Sequence, residues 1–197
     1  MNFLAHIYLS GSNEAVTIGN FIADGIKGKS YKKYPLQIQR GILLHREIDT
    51  FTDQHPIVKK STARLHNNYS HYSGVIVDIL YDHFLAKNWN DYHKQPLEEY
   101  IQDFYKLLRT DFDILPSRIQ QMMPYMISDN WLLSYATVPG ISKILVQMNR
   151  RTNNISKMNF AVIELEQYYT EFEEEFTSFF IELESFTSNK LLQLENL

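Results

Sequence analysis

Val75-Ile76-Val77-Asp78-Ile79-Leu80-Tyr81-Asp82 is the stretch on which the fold class turns. Its first three residues are β-branched and could open a strand. The run into Asp78-Ile79-Leu80-Tyr81-Asp82 reads better as helix. Val75, Asp78, Asp82 and Leu85 fall on one helical face, with the two carboxylates one turn apart. With this segment assigned to helix, no stronger strand signal remains, and the expected class is all-α. Towards the C-terminus, Met158, Val162, Leu165, Tyr169, Phe172, Phe176, Phe179 and Leu183 step by fours and threes, which predicts one helix with a continuous apolar stripe. Prolines mark helix starts. Pro96 precedes Leu97, Tyr100, Ile101, Phe104, Leu107 and Leu108, with Glu98 and Glu99 in the first turn, where the helix dipole favours acids. Pro35, Pro56 and Pro116 open helices in the same way. No repeat, low-complexity tract or Gly/Ser-rich linker interrupts the chain. Residues 1–197 are therefore expected to form a single-domain helical bundle.

Composition narrows the chemistry. An apolar content of 44% is too high for disorder. The formal charge of −4 gives no sign of nucleic-acid binding. With no cysteine, disulfides and thiolate metal sites are excluded, which leaves His, Asp and Glu as the strong metal ligands. No signal peptide is visible at Met1-Asn2-Phe3-Leu4-Ala5-His6, and no apolar run is long enough to span a bilayer. A cytoplasmic protein without membrane contact is expected.

Carboxylates and imidazoles on apolar faces need partners, because burying an unpaired charge costs several kcal/mol. Ile38, Ile42, His45 and Asp49 share one face of the helix after Pro35. Asp78 and Asp82 share another, where their mutual repulsion would become attraction through a divalent cation. Asp24 ends the apolar run Phe21-Ile22-Ala23. Other readings stand beside the metal. His45 could be a core histidine bonded to a carbonyl, Asp49 could cap the next segment, and Asp78 and Asp82 could pair with Arg46 and Arg40. His6 reads as a core residue, and His83 as facing solvent. Taken together, Asp24, His45, Asp49, Asp78 and Asp82 suit Mn²⁺, Mg²⁺ or Fe²⁺ better than a closed zinc site. Phosphate loops, serine triads and zincin motifs are absent.

Charge is uneven along the chain. Residues 25–46 carry Lys27, Lys29, Lys32, Lys33, Arg40 and Arg46 and no acid, whereas residues 164–184 carry eight Glu and no Lys or Arg. Both could be solvated surfaces, or the basic stretch could dock an acidic partner while the acidic helix repels wrong ones.

Four segments in register carry a family resemblance: Asn2-Phe3-Leu4-Ala5-His6, Gly19-Asn20-Phe21-Ile22-Ala23-Asp24-Gly25-Ile26-Lys27-Gly28, His45-Arg46-Glu47-Ile48-Asp49 with Thr52-Asp53, and Asp78-Ile79-Leu80-Tyr81-Asp82-His83-Phe84-Leu85. Together they resemble the bacterial acyl carrier protein phosphodiesterases, a divergent branch of the HD phosphohydrolases, from the first residues to about Arg151. The last helix agrees only in pattern. The resemblance implies an HD-domain-like helical fold. It also implies manganese-dependent removal of the 4′-phosphopantetheine arm from holo-acyl carrier protein. Asp24, His45, Asp78 and Asp82 match the positions expected around the metal, with Asp49 and His83 close by. One departure is plain: His45 is followed by Arg46, not by the Asp of a standard HD pair.

On this reading the metal site activates water, His83 protonates the departing serine oxygen, and Arg46 offsets charge on the phosphoryl oxygens. Carrier proteins of this kind are acidic, so Lys27, Lys29, Lys32, Lys33 and Arg40 are the expected dock. Two rival readings stay open: an HD-like phosphohydrolase acting on a nucleotide or other small phosphate ester, and a non-catalytic helical binding module.

Overall fold

The structure is a computed structural model and describes residues 1–195. Among them no strand occurs, and every regular element is helical. The α-helices are α1 (Phe3–Tyr8), α2 (Glu14–Ile22), α3 (Leu36–Gln54), α4 (Pro56–Tyr69), α5 (Ser73–Lys87), α6 (Trp89–Tyr92), α7 (Leu97–Thr110), α8 (Ser117–Ser128), α9 (Trp131–Ser134), α10 (Val138–Arg151), α11 (Val162–Gln167) and α12 (Tyr169–Glu195). Residues 75–82 lie within α5 and are helical throughout, as their spacing predicts.

Proline and side-chain caps set most of the starts. Pro35, Pro96 and Pro116 stand just before α3, α7 and α8, and Pro56 opens α4. At these positions proline's fixed φ fits, and its missing N–H is not needed. Asn13 caps α2 through its side chain, and Thr137 caps α10. Pro124 departs from this pattern, sitting inside α8.

The core gathers around α12, which packs on α3, α4 and α5. Tyr81, Phe84, Phe172, Phe176, Phe179 and Phe180 are fully buried there. The expected unbroken helix through Met158–Leu183 is interrupted. Met158 lies in a short 3₁₀ turn, and Tyr168 leaves helical geometry (φ −117°) between α11 and α12. Met158, Leu165, Phe172, Phe176, Phe179 and Leu183 are still buried in phase, with Val162 and Tyr169 half-buried, because the seven-residue step from Leu165 to Phe172 keeps its face across the break.

Five of the eight glutamates of this region meet a partner elsewhere in the fold, and Glu166, Glu171 and Glu174 are exposed. Glu164 receives Asn68 and Tyr69, Glu173 receives Lys87 and Asn88, and Glu184 receives Tyr8. His55 lies against Glu182. Glu175 is buried and takes both arms of the Arg64 fork at 2.8 and 2.7 Å, together with the Ser61 hydroxyl. No described helix is long and apolar enough to cross a membrane.

Two glycines bring the functional elements together. A Cβ on Gly19 would stand 2.1 Å from the Ile38 carbonyl oxygen, and one on Gly41 would stand 2.1 Å from that of Val16. α2 and α3 therefore meet backbone to backbone, which only glycine permits at both points. Asn20 follows the first glycine, and His45 lies one turn beyond the second.

Candidate metal centre

A cavity of about 410 Å³ opens beside this contact. One part of its wall is acidic and carries Asp24, Asp49, Asp53 and Asp78 with His6 and His45. Another part is apolar, including Phe3, Val75, Trp131, Ile144 and Met148.

His6 and His45 are buried and stack with ring centroids 3.9 Å apart. Asn20 orients both. Its amide nitrogen donates to the His6 carbonyl (2.8 Å) and the Ser10 hydroxyl (3.0 Å), which fixes the amide so that Oδ1 faces the rings. His6 Nδ1 lies 2.8 Å from that Oδ1, and His45 Nδ1 lies 2.9 Å from the Asn20 carbonyl oxygen. Both acceptors require a proton on Nδ1. In the neutral rings the Nε2 lone pairs therefore face outward, towards the same carboxylate. His6 Nε2 is 3.2 Å from Asp49 Oδ1, and His45 Nε2 is 3.1 Å from Asp49 Oδ2. Asp24 Oδ1 stands 3.2 Å from His45 Nε2.

A lone pair directed at a carboxylate is repulsive unless a proton or a cation lies between them. The pKa pattern supplies one proton for two rings. Burial pulls the His45 imidazole down, but hydrogen bonds and charge from Asp24 and Asp49 outweigh it and push it up to about 9. Burial, followed by the His45 charge, lowers His6. Two rings stacked this closely do not both ionise, so His6 keeps a bare Nε2. Burial works to raise the Asp49 carboxyl, yet the two imidazoles hold it well below the ordinary carboxylate range. Asp24 is lowered chiefly by its hydrogen bond with His45. Asp53 forms no ion pair among the described residues; burial and the Asp78 and Asp49 charges raise it, and the Met1 ammonium offsets them in part. The ligand atoms of His6, His45 and Asp49 lie within 4.8 Å of one another, a group able to hold a metal ion. The donor set fits: two oriented imidazole nitrogens and a carboxylate share a centre, and Asn20 supplies the outer support typical of histidine ligation.

The other expected site residues fall around this group in different ways. Asp78 lines the cavity and accepts the Met1 ammonium at 2.9 Å. Asp82 is fully buried and does not reach the cavity wall. Its carboxylate accepts the backbone N–H groups of Asn2 (3.2 Å), Leu4 (2.7 Å) and Ala5 (3.4 Å), so it anchors the start of the helix that presents His6. Burial pushes its pKa up to about 7 despite those donors. Pairing of Asp78 and Asp82 with Arg46 and Arg40 does not occur. Arg46 donates to the carbonyls of Ile26 and Gly28, both at 2.9 Å, and stacks on Tyr31. Arg40 donates to the Glu195 carbonyl at 2.8 Å. His83, read as facing solvent, is buried outside the cavity wall. Its Nδ1 lies 2.7 Å from the Tyr135 carbonyl oxygen and its Nε2 lies 2.8 Å from the Tyr169 hydroxyl. Lys27, Lys29, Lys32 and Lys33 are exposed on and beside the 3₁₀ turn Gly28–Lys33.

Two members of the centre are invisible to helical periodicity. His6 stands alone on a six-residue helix, and Asn20 is a polar residue in an apolar run. The readable signal was the pair Gly19 and Gly41, each the residue at which another backbone approaches.

A family model described as acyl carrier protein phosphodiesterase matches residues 1–183. A protein of that name from Yersinia pestis is 32% identical over 181 residues, covering 91% of this chain and 94% of the relative. One from Photorhabdus laumondii is 30% identical, with 91% of each chain covered. One from Serratia proteamaculans is 27% identical over 193 residues, covering 98% and 100%. No solved structure matches the chain.

Proposed function

This chain belongs to the acyl carrier protein phosphodiesterase family, and from that premise we propose that it hydrolyses the phosphodiester linking 4′-phosphopantetheine to the serine of holo-acyl carrier protein. The products are apo-acyl carrier protein and 4′-phosphopantetheine. The observation that carries the reading is the pair of imidazoles whose Nε2 atoms converge on Asp49 at a cavity wall.

His6, His45 and Asp49 would hold a divalent ion, with Asp24 within reach of the same imidazole. Imidazole with carboxylate oxygen suits Mn²⁺, with Mg²⁺ and Fe²⁺ as the alternatives. Such an ion supplies Lewis acidity at the phosphoryl group and a nucleophile at neutral pH. The chain's own contribution is positional. Asn20 keeps both Nδ1 atoms protonated and both Nε2 atoms free for ligation. Asp82 fixes the first turn of α1 and so the position of His6. Asp53 and Asp78 keep the wall acidic, which favours a cation there. Arg46 and His83 are spoken for by carbonyl and hydroxyl partners, and they take no part in the proposed chemistry. We assign the protein to the cytoplasm and keep Lys27, Lys29, Lys32 and Lys33 as a docking surface for an acidic carrier. Arg40, tied to the end of α12, serves the fold instead.

The test is incubation of holo-acyl carrier protein with the full chain and Mn²⁺, read by intact mass. The expected result is conversion to the apo mass, abolished by a chelator. An unchanged holo mass would overturn the reading. Charge reversal at Lys29, Lys32 and Lys33 together should lower kcat/KM more than kcat, and added salt should mimic it.

A further inference from the structure

Three arginines of the described chain are committed to neighbours: Arg40 and Arg46 to carbonyls, and Arg64 to Glu175. Of the other four, Arg109 and Arg150 lie away from the cavity wall, and Arg118 and Arg151 do not. Both are exposed, both line the cavity that holds the imidazole pair, and neither forms an ion pair with a described carboxylate. Placed at the wall and open to solvent, they stand at its mouth.

The two are placed differently: Arg151 lies in the last turn of α10, where the helix dipole favours a cation, and Arg118 does not. Arg118 occupies the first turn of α8, where the helix dipole disfavours a cation. Arg151 is oriented without being neutralised. Its guanidinium lies 5.8 Å from the Trp131 ring centre, and its Nη1 lies 3.6 Å from the Met148 sulfur. These soft contacts steady the fork, and no described carboxylate pairs with it. Trp131 and Met148 line the cavity too, so the support and the charge share one wall. The cavity is therefore polarised. Its acidic part suits a cation, and the part built by α8 and α10 suits an anion, with apolar side chains also on the wall.

Resting on the proposed hydrolysis, we infer that Arg118 and Arg151 bind the phosphodiester oxygens of the substrate and position the phosphorus over the imidazole pair. A guanidinium fork matches phosphate geometry, which a lysine does not. The same pair would hold the phosphorylated product until it leaves.

The experiment compares the wild-type chain with Arg118→Met, Arg151→Met, the double Met variant and the double Lys variant, all loaded with Mn²⁺. Competition by 4′-phosphopantetheine is measured against competition by pantetheine, which lacks the phosphate. Steady-state kinetics on holo-acyl carrier protein, metal content and thermal melts accompany it. The double Met variant should lose affinity for 4′-phosphopantetheine by on the order of 10- to 100-fold, the size of a lost charge-assisted hydrogen bond. Its affinity for pantetheine, its metal content and its melt should stay as in wild type. The Lys variant should recover part of the loss. Unchanged binding of 4′-phosphopantetheine overturns the inference. So does a loss seen only with intact carrier protein, which would make the arginines a protein-docking rim. A wild type that leaves holo-carrier protein intact, while the arginines still govern 4′-phosphopantetheine binding, overturns the proposed activity and leaves the anion site standing.

Discussion

Two regions of this protein are rich in carboxylates, and they use them in opposite ways. Along α11 and α12, Glu164, Glu173, Glu175 and Glu184 each meet a donor on another helix and Glu182 meets His55 at the cap of α4, and so they tie the C-terminal segment to α1, α4 and α5. Around the cavity, Asp24 and Asp49 meet only imidazole nitrogens, Asp53 forms no ion pair among the described residues, and Asp78 meets the Met1 ammonium. An acid matched to a donor holds the fold together. Acids crowded against one another and against lone pairs leave a deficit of positive charge, which a bound cation would fill. Sequence composition alone would rank the glutamate helix as the more charged surface, yet the chemistry we propose lies in the smaller cluster.

The sharpest way to break this contrast is Asp49→Asn. The variant removes the carboxylate shared by both imidazoles and keeps its shape. Hydrolysis should fall by more than the roughly 10–100-fold that loss of an outer partner costs a metal site. Bound metal should fall with it, and the melting temperature should fall modestly, because the carboxylate that the two imidazoles hold ionised stabilises the fold at neutral pH. Kinetics, metal analysis and a thermal melt on one preparation check all three. An active, metal-loaded variant would remove the cavity from the chemistry.

Much of the fold was legible because it is local. Helical spacing in residues 75–85 and the prolines at 35, 56, 96 and 116 mark elements that the structure contains. The break at Tyr168 was not legible, since the apolar stripe keeps its phase across it and neither Gly nor Pro stands there. In the site, Asp24, His45 and Asp49 could be picked out as polar groups on apolar faces. His6 could not, because what distinguishes it is Asn20 and Asp49, which the chain brings in from other helices. Asp82 announced itself as a buried acid, but its partners are backbone N–H groups, and those have no sequence signature.

On the structural side of the comparison, Phe176→Ala should have the largest effect. Phe176 is fully buried against Tyr81, Phe84, Tyr92 and Phe180. Truncation should cost about 3–5 kcal/mol, a fall in melting temperature on the order of 10 °C for a chain of this size. A wild-type melt with altered substrate affinity would mean that the stripe is a partner surface instead.

Glu175→Gln should cost less, about 1.5–3 kcal/mol, and should spare kcat/KM. Its effect should depend on pH with a definite sign. Burial raises the Glu175 carboxyl, but Arg64, Ser61 and Lys60 outweigh it and hold its pKa below the ordinary 4.5. A carboxyl with a depressed folded pKa stabilises fully above its unfolded pKa and loses that stabilisation as pH falls through the folded value. The gap between wild-type and variant melts should therefore be full at pH 7 and narrow in acid, below about pH 4.5. A gap that widens in acid would show that Glu175 stabilises the fold by packing and not by charge.

The smallest effect is expected one residue away. Glu174 is exposed, and its side chain forms no ion pair among the described residues; its backbone carbonyl accepts the Ser178 hydroxyl at 2.9 Å. Glu171 lies three positions earlier on the same helix, so Glu174→Gln relieves a like-charge neighbour worth a few tenths of a kcal/mol. The variant should melt within about 0.5 kcal/mol of wild type, on the stable side if it moves at all. Its kcat/KM on holo-acyl carrier protein should not change, because Glu174 lies outside the cavity wall and removing one exposed charge alters a screened field only slightly. Side by side, Glu174→Gln and Glu175→Gln separate a solvated acid from a matched one at adjacent positions on one helix. If Glu174→Gln instead raised kcat/KM and the gain vanished in high salt, the outer face of α12 would be repelling the acidic carrier during approach, and the glutamate helix would take part in substrate selection as well as in the fold.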